Sequence, residues 1–113
     1  MKKQRIQKAF KKWAWLVNGY GWQFTVKYVM GTENMPDGCT ATTTAATRSS
    51  WEYLEGFVYV NLIACEDEPD DAIERMVIHE LVHMIVSPVE TEAKENEYVV
   101  TSLERIIYGM RKQ

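Results

Sequence analysis

The sequence predicts an α+β fold: an N-terminal helix, a small sheet of two to four strands and two C-terminal helices, in a single domain spanning 1–113. Three observations carry that expectation. Apolar residues recur at three- and four-residue steps near the start, alternate in steps of two through the middle, and return to helical spacing after residue 69. At 113 residues the chain has the usual size of one domain and can bury a core without a covalent staple. With 46% hydrophobic and 26% charged residues, four Trp and six Tyr, the composition excludes a disordered chain.

The elements follow in order. Ile6, Ala9, Phe10, Trp13, Leu16 and Val17 form one apolar stripe of a helix whose opposite face holds lysines. Asn18-Gly19 is expected to end it, with Gly19 in the left-handed conformation. In "WQFTVKYVM", residues 22–30, Trp22, Phe24, Val26, Tyr28 and Met30 alternate with Gln23, Thr25 and Lys27, the period of a strand with one wet side. The turn-rich "GTENMPDG" follows, and "CTATTTAATRSS" reads as a short strand or hairpin arm because threonine favours extended structure. The surest strand is "EGFVYVNLIA", whose apolar residues occupy both faces, as expected well inside a sheet or beside a cleft. Pro69 with its flanking carboxylates marks a helix start, and that helix is expected to run to about Ser87, where Pro88 stops it. A last helix from about Thr91 to Tyr108, closed by Gly109, is expected to turn Val99, Val100, Leu103, Ile106 and Ile107 inward.

Charge is distributed unevenly. Lys2, Lys3, Arg5, Lys8, Lys11 and Lys12 crowd the first twelve positions, and no acid precedes Glu33, so an acidic body follows a basic start. The lysines interrupt any apolar signal-peptide core, and no run approaches membrane-spanning length. Cys39 and Cys65, without a CxxC partner, read as reduced thiols in a cytoplasmic protein. The basic helix could contact nucleic acid, but a solvated lysine face explains it more simply, so no nucleic-acid or membrane partner is expected.

The chemistry concentrates in "HELVH", His79-Glu80-Leu81-Val82-His83, which holds both histidines of the chain. Residues four apart on a helix stand on one face, so the two imidazoles can reach one divalent ion such as Zn2+. Glu80 is turned about 100° away and is poorly placed as a ligand, but it can act as general base toward a water on that ion. Two imidazoles and a carboxylate in one apolar turn are costly unless each finds a partner, which favours a metal over fortuitous spacing. A third ligand must be a carboxylate, since no further histidine exists. Glu90, Glu92, Glu95 and Glu97 are the candidates, and Glu97 is the first choice because it lies one turn before Val100 on the expected inner face.

With these residues the sequence resembles the zincin metallopeptidases, and among them the glutamate-ligand branch (gluzincins) in its smallest form, similar to phage-type relatives of the ImmA/IrrE peptidases. The resemblance covers residues 55 to 108 and rests on "HELVH" and "NEYVVTSL", with Asn96 where many relatives carry an acid. It implies a minimal zincin-like domain with Zn2+ on His79, His83 and Glu97, Glu80 as catalytic base, and a peptide or protein substrate pairing with an edge strand beside the active-site helix. Such proteins also use a His or Tyr to steady the oxyanion, which here leaves Tyr53, Tyr59, Tyr98 and Tyr108. Thr101 and Glu104 could orient a ligand from behind. The alternative is a catalytically inactive binding or regulatory protein with a structural zinc, closed by a fourth ligand such as Glu92 or Cys65.

Overall fold

A computed structural model describes residues 2–19, 21–36, 38–50, 52–87 and 93–110. It is an α+β arrangement of helices and one three-stranded mixed sheet. The elements are α1 (Lys2–Trp13), α2 (Trp15–Asn18), β1 (Gln23–Val29), a short 3-10 turn (Thr32–Asn34), β2 (Ala45–Ser50), β3 (Glu55–Asn61), α3 (Asp70–Val86) and α4 (Ala93–Met110).

The N-terminal apolar stripe is buried as its spacing predicts, with Ile6, Phe10, Trp13, Leu16 and Val17 all in the core. The helix is nevertheless broken at Ala14 into α1 and α2. Its closure also falls two residues later than expected. Gly19 keeps right-handed helical angles, whereas Gly21 has φ 87°. The Gly21 N–H donates to Asn18 C=O (3.1 Å) and the Trp22 N–H to Val17 C=O (3.2 Å), the two bonds of a Schellman closure. Trp22 is thereby carried into the core at the start of β1.

β3 is central in the sheet, parallel to β1 and antiparallel to β2. It lies inside the sheet as expected, with its two faces covered unequally. Gly56, Val58 and Val60 face the helices, while Phe57 is 38% exposed and Tyr59 half-buried on the open side. The Lys27 ammonium lies 4.9 Å from the Phe57 ring and 5.5 Å from the Tyr59 ring, covering apolar surface that no helix covers. The strand also stops at Asn61 rather than running to Ala64. Asn61 is fully buried and its Oδ1 accepts the N–H groups of Gly31 (3.3 Å), Ile63 (3.1 Å) and Ala64 (3.2 Å), which turns the chain out of the sheet.

α3 crosses the helix-facing side of the sheet with Ile73, Val77, Ile78, Leu81, Val82 and Met84 buried. Pro69 is its N-cap rather than a residue of its first turn, and Asp70 and Asp71 follow as the acids of that turn. Arg5 of α1 pairs with Asp70, and the Glu74 carboxylate accepts from Lys12 and from Trp13 Nε1 (2.8 Å), so part of the basic face is neutralised within the chain. At the other end Ser87 Oγ caps Met84 C=O (2.8 Å); Pro88 lies outside the described residues.

α4 lies against α3 with three of its five expected inward residues, Val100, Leu103 and Ile107, packed on the body. Glu104 turns inward with them, while Val99 and Ile106 are exposed. The physical reason is Glu104, a buried acid with two partners on α3, which rotates the helix so that its carboxylate faces them. Nor does Gly109 end α4, which continues to Met110. Among the described residues no helix is long and apolar enough to cross a membrane.

Candidate metal centre

The site is assembled from three elements. α3 offers His79 and His83 one turn apart, their ring centroids 4.9 Å from each other and their planes nearly perpendicular. α4 brings Glu97 across from them. His79 Nε2 lies 3.3 Å from Glu97 Oε2, and His83 Nε2 lies 2.7 Å from Glu97 Oε1. One nitrogen of each imidazole and one Glu97 oxygen lie within 4.8 Å of one another, a donor set that could hold a metal ion, and this trio is the one such cluster among the described residues.

The orientation of His79 is fixed from behind. Its Nδ1–H donates to Glu104 Oε1 (3.2 Å), which leaves Nε2 as the atom presented to Glu97. The second Glu104 oxygen accepts from Arg75 Nε (3.0 Å), and the Arg75 guanidinium lies 5.5 Å from the Tyr108 ring. Glu104 is only 7% exposed, so both of its oxygens are matched by donors as burial requires.

Glu80 belongs to the same helical turn but turns toward the sheet. The pleat of β2 explains its partner: Thr47 pairs with Val58, a residue facing the helices, so Thr47 faces them too. Thr47 Oγ1 donates to Glu80 Oε1 (2.7 Å) and lies 3.2 Å from its backbone carbonyl. Burial raises the Glu80 carboxyl above its ordinary range; the Thr47 hydrogen bond and the charges of His83 and His79 oppose that rise, and Glu97 adds to it. A buried carboxylate of raised basicity, beside the two imidazoles, is suited to moving a proton.

The groove is open to solvent. A cavity of about 310 Å³ is bounded by Ala45, Ala46 and Thr47 of β2, by His79, Glu80 and His83 of α3, and by Glu97. β2 is an edge strand of the three-stranded sheet, and Ala45, Ala46 and Thr47 at its start border the cavity.

The structure brings His79, Glu80, His83 and Glu97 together, and adds Glu104 behind His79. Glu90 and Glu92, with the side chain of Glu95, lie outside the described residues. Cys65 is buried elsewhere, its thiol against Thr44 C=O (3.7 Å) and Met76 Sδ (3.9 Å), and takes no part in the cluster. None of the four tyrosines considered for the oxyanion lines the cavity. Tyr53 and Tyr98 are 77% and 75% exposed, Tyr59 is under Lys27 on the open face of the sheet, and Tyr108 stacks on Arg75. Thr47 and Arg75 were not among the sequence candidates. The signal for Thr47 is its place in a period-two strand beside the site; for Arg75 it is the i, i+4 step to His79.

Comparison of the chain with protein-family models, with curated proteins and with solved structures finds no match.

Proposed function

We propose that this protein is a zinc-dependent metallopeptidase of minimal zincin-like architecture, with His79, His83 and Glu97 holding the ion and Glu80 as the catalytic base. The observation that carries the reading is the convergence of both Nε2 atoms on the two oxygens of Glu97 beside a buried, hydrogen-bonded Glu80. Zinc held by His79, His83 and Glu97 would supply Lewis acidity toward a peptide carbonyl and a water. Glu80, as the base, would take a proton from the attacking water and return it to the leaving amine, while the Thr47 hydroxyl, donating to Glu80 Oε1 (2.7 Å), fixes that oxygen. Glu104 holds His79 in the tautomer a metal ligand needs. The exposed edge of β2 offers main-chain hydrogen bonds to an extended peptide lying across the groove.

Among the described residues three side chains converge on the site and Cys65 is engaged elsewhere, which supports this reading over a structural zinc; Glu92, the other candidate for a fourth ligand, lies outside them. Pairing of Arg5 and Lys12 with acids of α3 favours a structural role for the basic helix over a nucleic-acid contact. The test is zinc analysis and peptide hydrolysis on the wild type and the Glu80→Gln variant. The variant is expected to retain one equivalent of zinc and to lose turnover by about 10²–10⁴-fold; unchanged turnover would remove Glu80 from the mechanism.

A further inference from the structure

Beside the metal centre, toward the N-terminal end of α3, lies a second cavity of about 460 Å³ that shares Ala45, His79 and Glu80 with the first. The two therefore adjoin at the start of β2. Thr42, Thr43 and Thr44 form one wall and Arg75 the other. Arg75 spends only its Nε on Glu104, and among the described residues its two terminal nitrogens have no hydrogen-bond partner. The side chain is 44% exposed, with its guanidinium backed by the Tyr108 ring. A cationic visitor finds much less, because both oxygens of Glu104 are already engaged by His79 and Arg75.

The strand direction says which part of a peptide reaches this cavity. β2 runs from Ala45 at the cavity toward Ser50, so a peptide laid antiparallel on its free edge runs the opposite way. Its residues after the scissile bond then come to the Arg75 end. We propose that Arg75 makes this cavity a carboxylate-recognition subsite, so that the peptide bound carries a carboxylate directly after the scissile position. The source is either an Asp or Glu side chain or the free C-terminus of a short peptide. A guanidinium with both terminal nitrogens available matches a carboxylate through two parallel hydrogen bonds, which a lysine cannot reproduce. The inference rests on the peptidase reading for the direction of the peptide, but its test reads binding and not hydrolysis.

The experiment is calorimetric titration of Glu80→Gln protein, with and without zinc, using short peptides. One pair differs only as Glu or Gln at the scanned position with an amidated C-terminus; a third peptide keeps Gln and carries a free C-terminus. The Glu peptide, the free-carboxylate peptide or both are expected to bind about tenfold tighter than the neutral one, and whichever gains identifies the source of the carboxylate. The added Arg75→Gln change is expected to erase the difference and Arg75→Lys to restore part of it. Equal binding of all three peptides, no measurable binding, or a preference that survives Arg75→Gln would overturn the proposal. Failure of the peptidase reading looks different: wild-type protein with zinc leaves every peptide uncut, whatever their relative affinities.

Discussion

Glu80 and Glu104, the carboxylates on either side of the histidines, differ in their surroundings. Glu104 is held between two donors and acts through His79, whereas Glu80 faces the groove with Thr47 as its hydroxyl donor. Glu104→Ala is therefore expected to weaken zinc binding by about 10- to 100-fold without removing a ligand, as read by competition with a chromogenic chelator. Thr47→Val keeps the side-chain shape and deletes the donor. It is expected to leave zinc affinity unchanged and to lower kcat by about tenfold, the loss of one hydrogen bond to a charged group. At this scale the sequence was partly legible. His79, Glu80 and His83 follow from a single helical spacing, and Glu97 from its step to Val100. Thr47 and Arg75 acquire their partners through tertiary neighbours, Thr47 by a strand pairing and Arg75 by the approach of α4, so the local spacing that places each beside the site does not by itself single it out. The tyrosines proposed for the oxyanion failed for the same reason, since residue type alone does not say which face of the sheet or helix a ring occupies.

The elements are joined at a few close contacts that decide how they sit. Gly56 is one. A Cβ there would fall 2.6 Å from Met84 Sδ, and Met84 is fully buried, so β3 and α3 approach across a position with no side chain. Gly56→Ala is expected to destabilise the fold by about 1–3 kcal/mol through overpacking, measured by urea unfolding. Gly21 is the other, at φ 87° in the closure that delivers Trp22 to the core. Gly21→Ala is expected to cost about 1–2 kcal/mol, while Gly19→Ala, at right-handed angles, lacks that conformational cost. The positions of the helices and strands were legible because amphipathic periods of 3.6 and 2 both occur cleanly. Their ends were not. Asn61 terminates β3 through three long-range and local bonds to one amide oxygen, and Glu104 sets the rotation of α4, so in both cases a buried polar side chain overrides the apolar pattern.

Across the whole molecule, the candidate metal site lies between α3 and α4, which also meet through the pairs of Glu104 with Arg75 and His79. Zinc that binds the folded chain and not the unfolded one stabilises it by mass action, about 2.7 kcal/mol at a hundred times its Kd. For a chain of this size that is a rise in Tm on the order of 10 °C, reversed by a chelator and accompanied by slower hydrogen exchange in α4. The most direct measurement of the central claim is X-ray absorption at the zinc edge on protein purified with one equivalent of metal. The expected first shell has two imidazole nitrogens and oxygen donors at about 2.0–2.2 Å, with no sulfur and with one oxygen exchangeable with solvent. A sulfur ligand, a shell without imidazole, or protein that retains no zinc would contradict it.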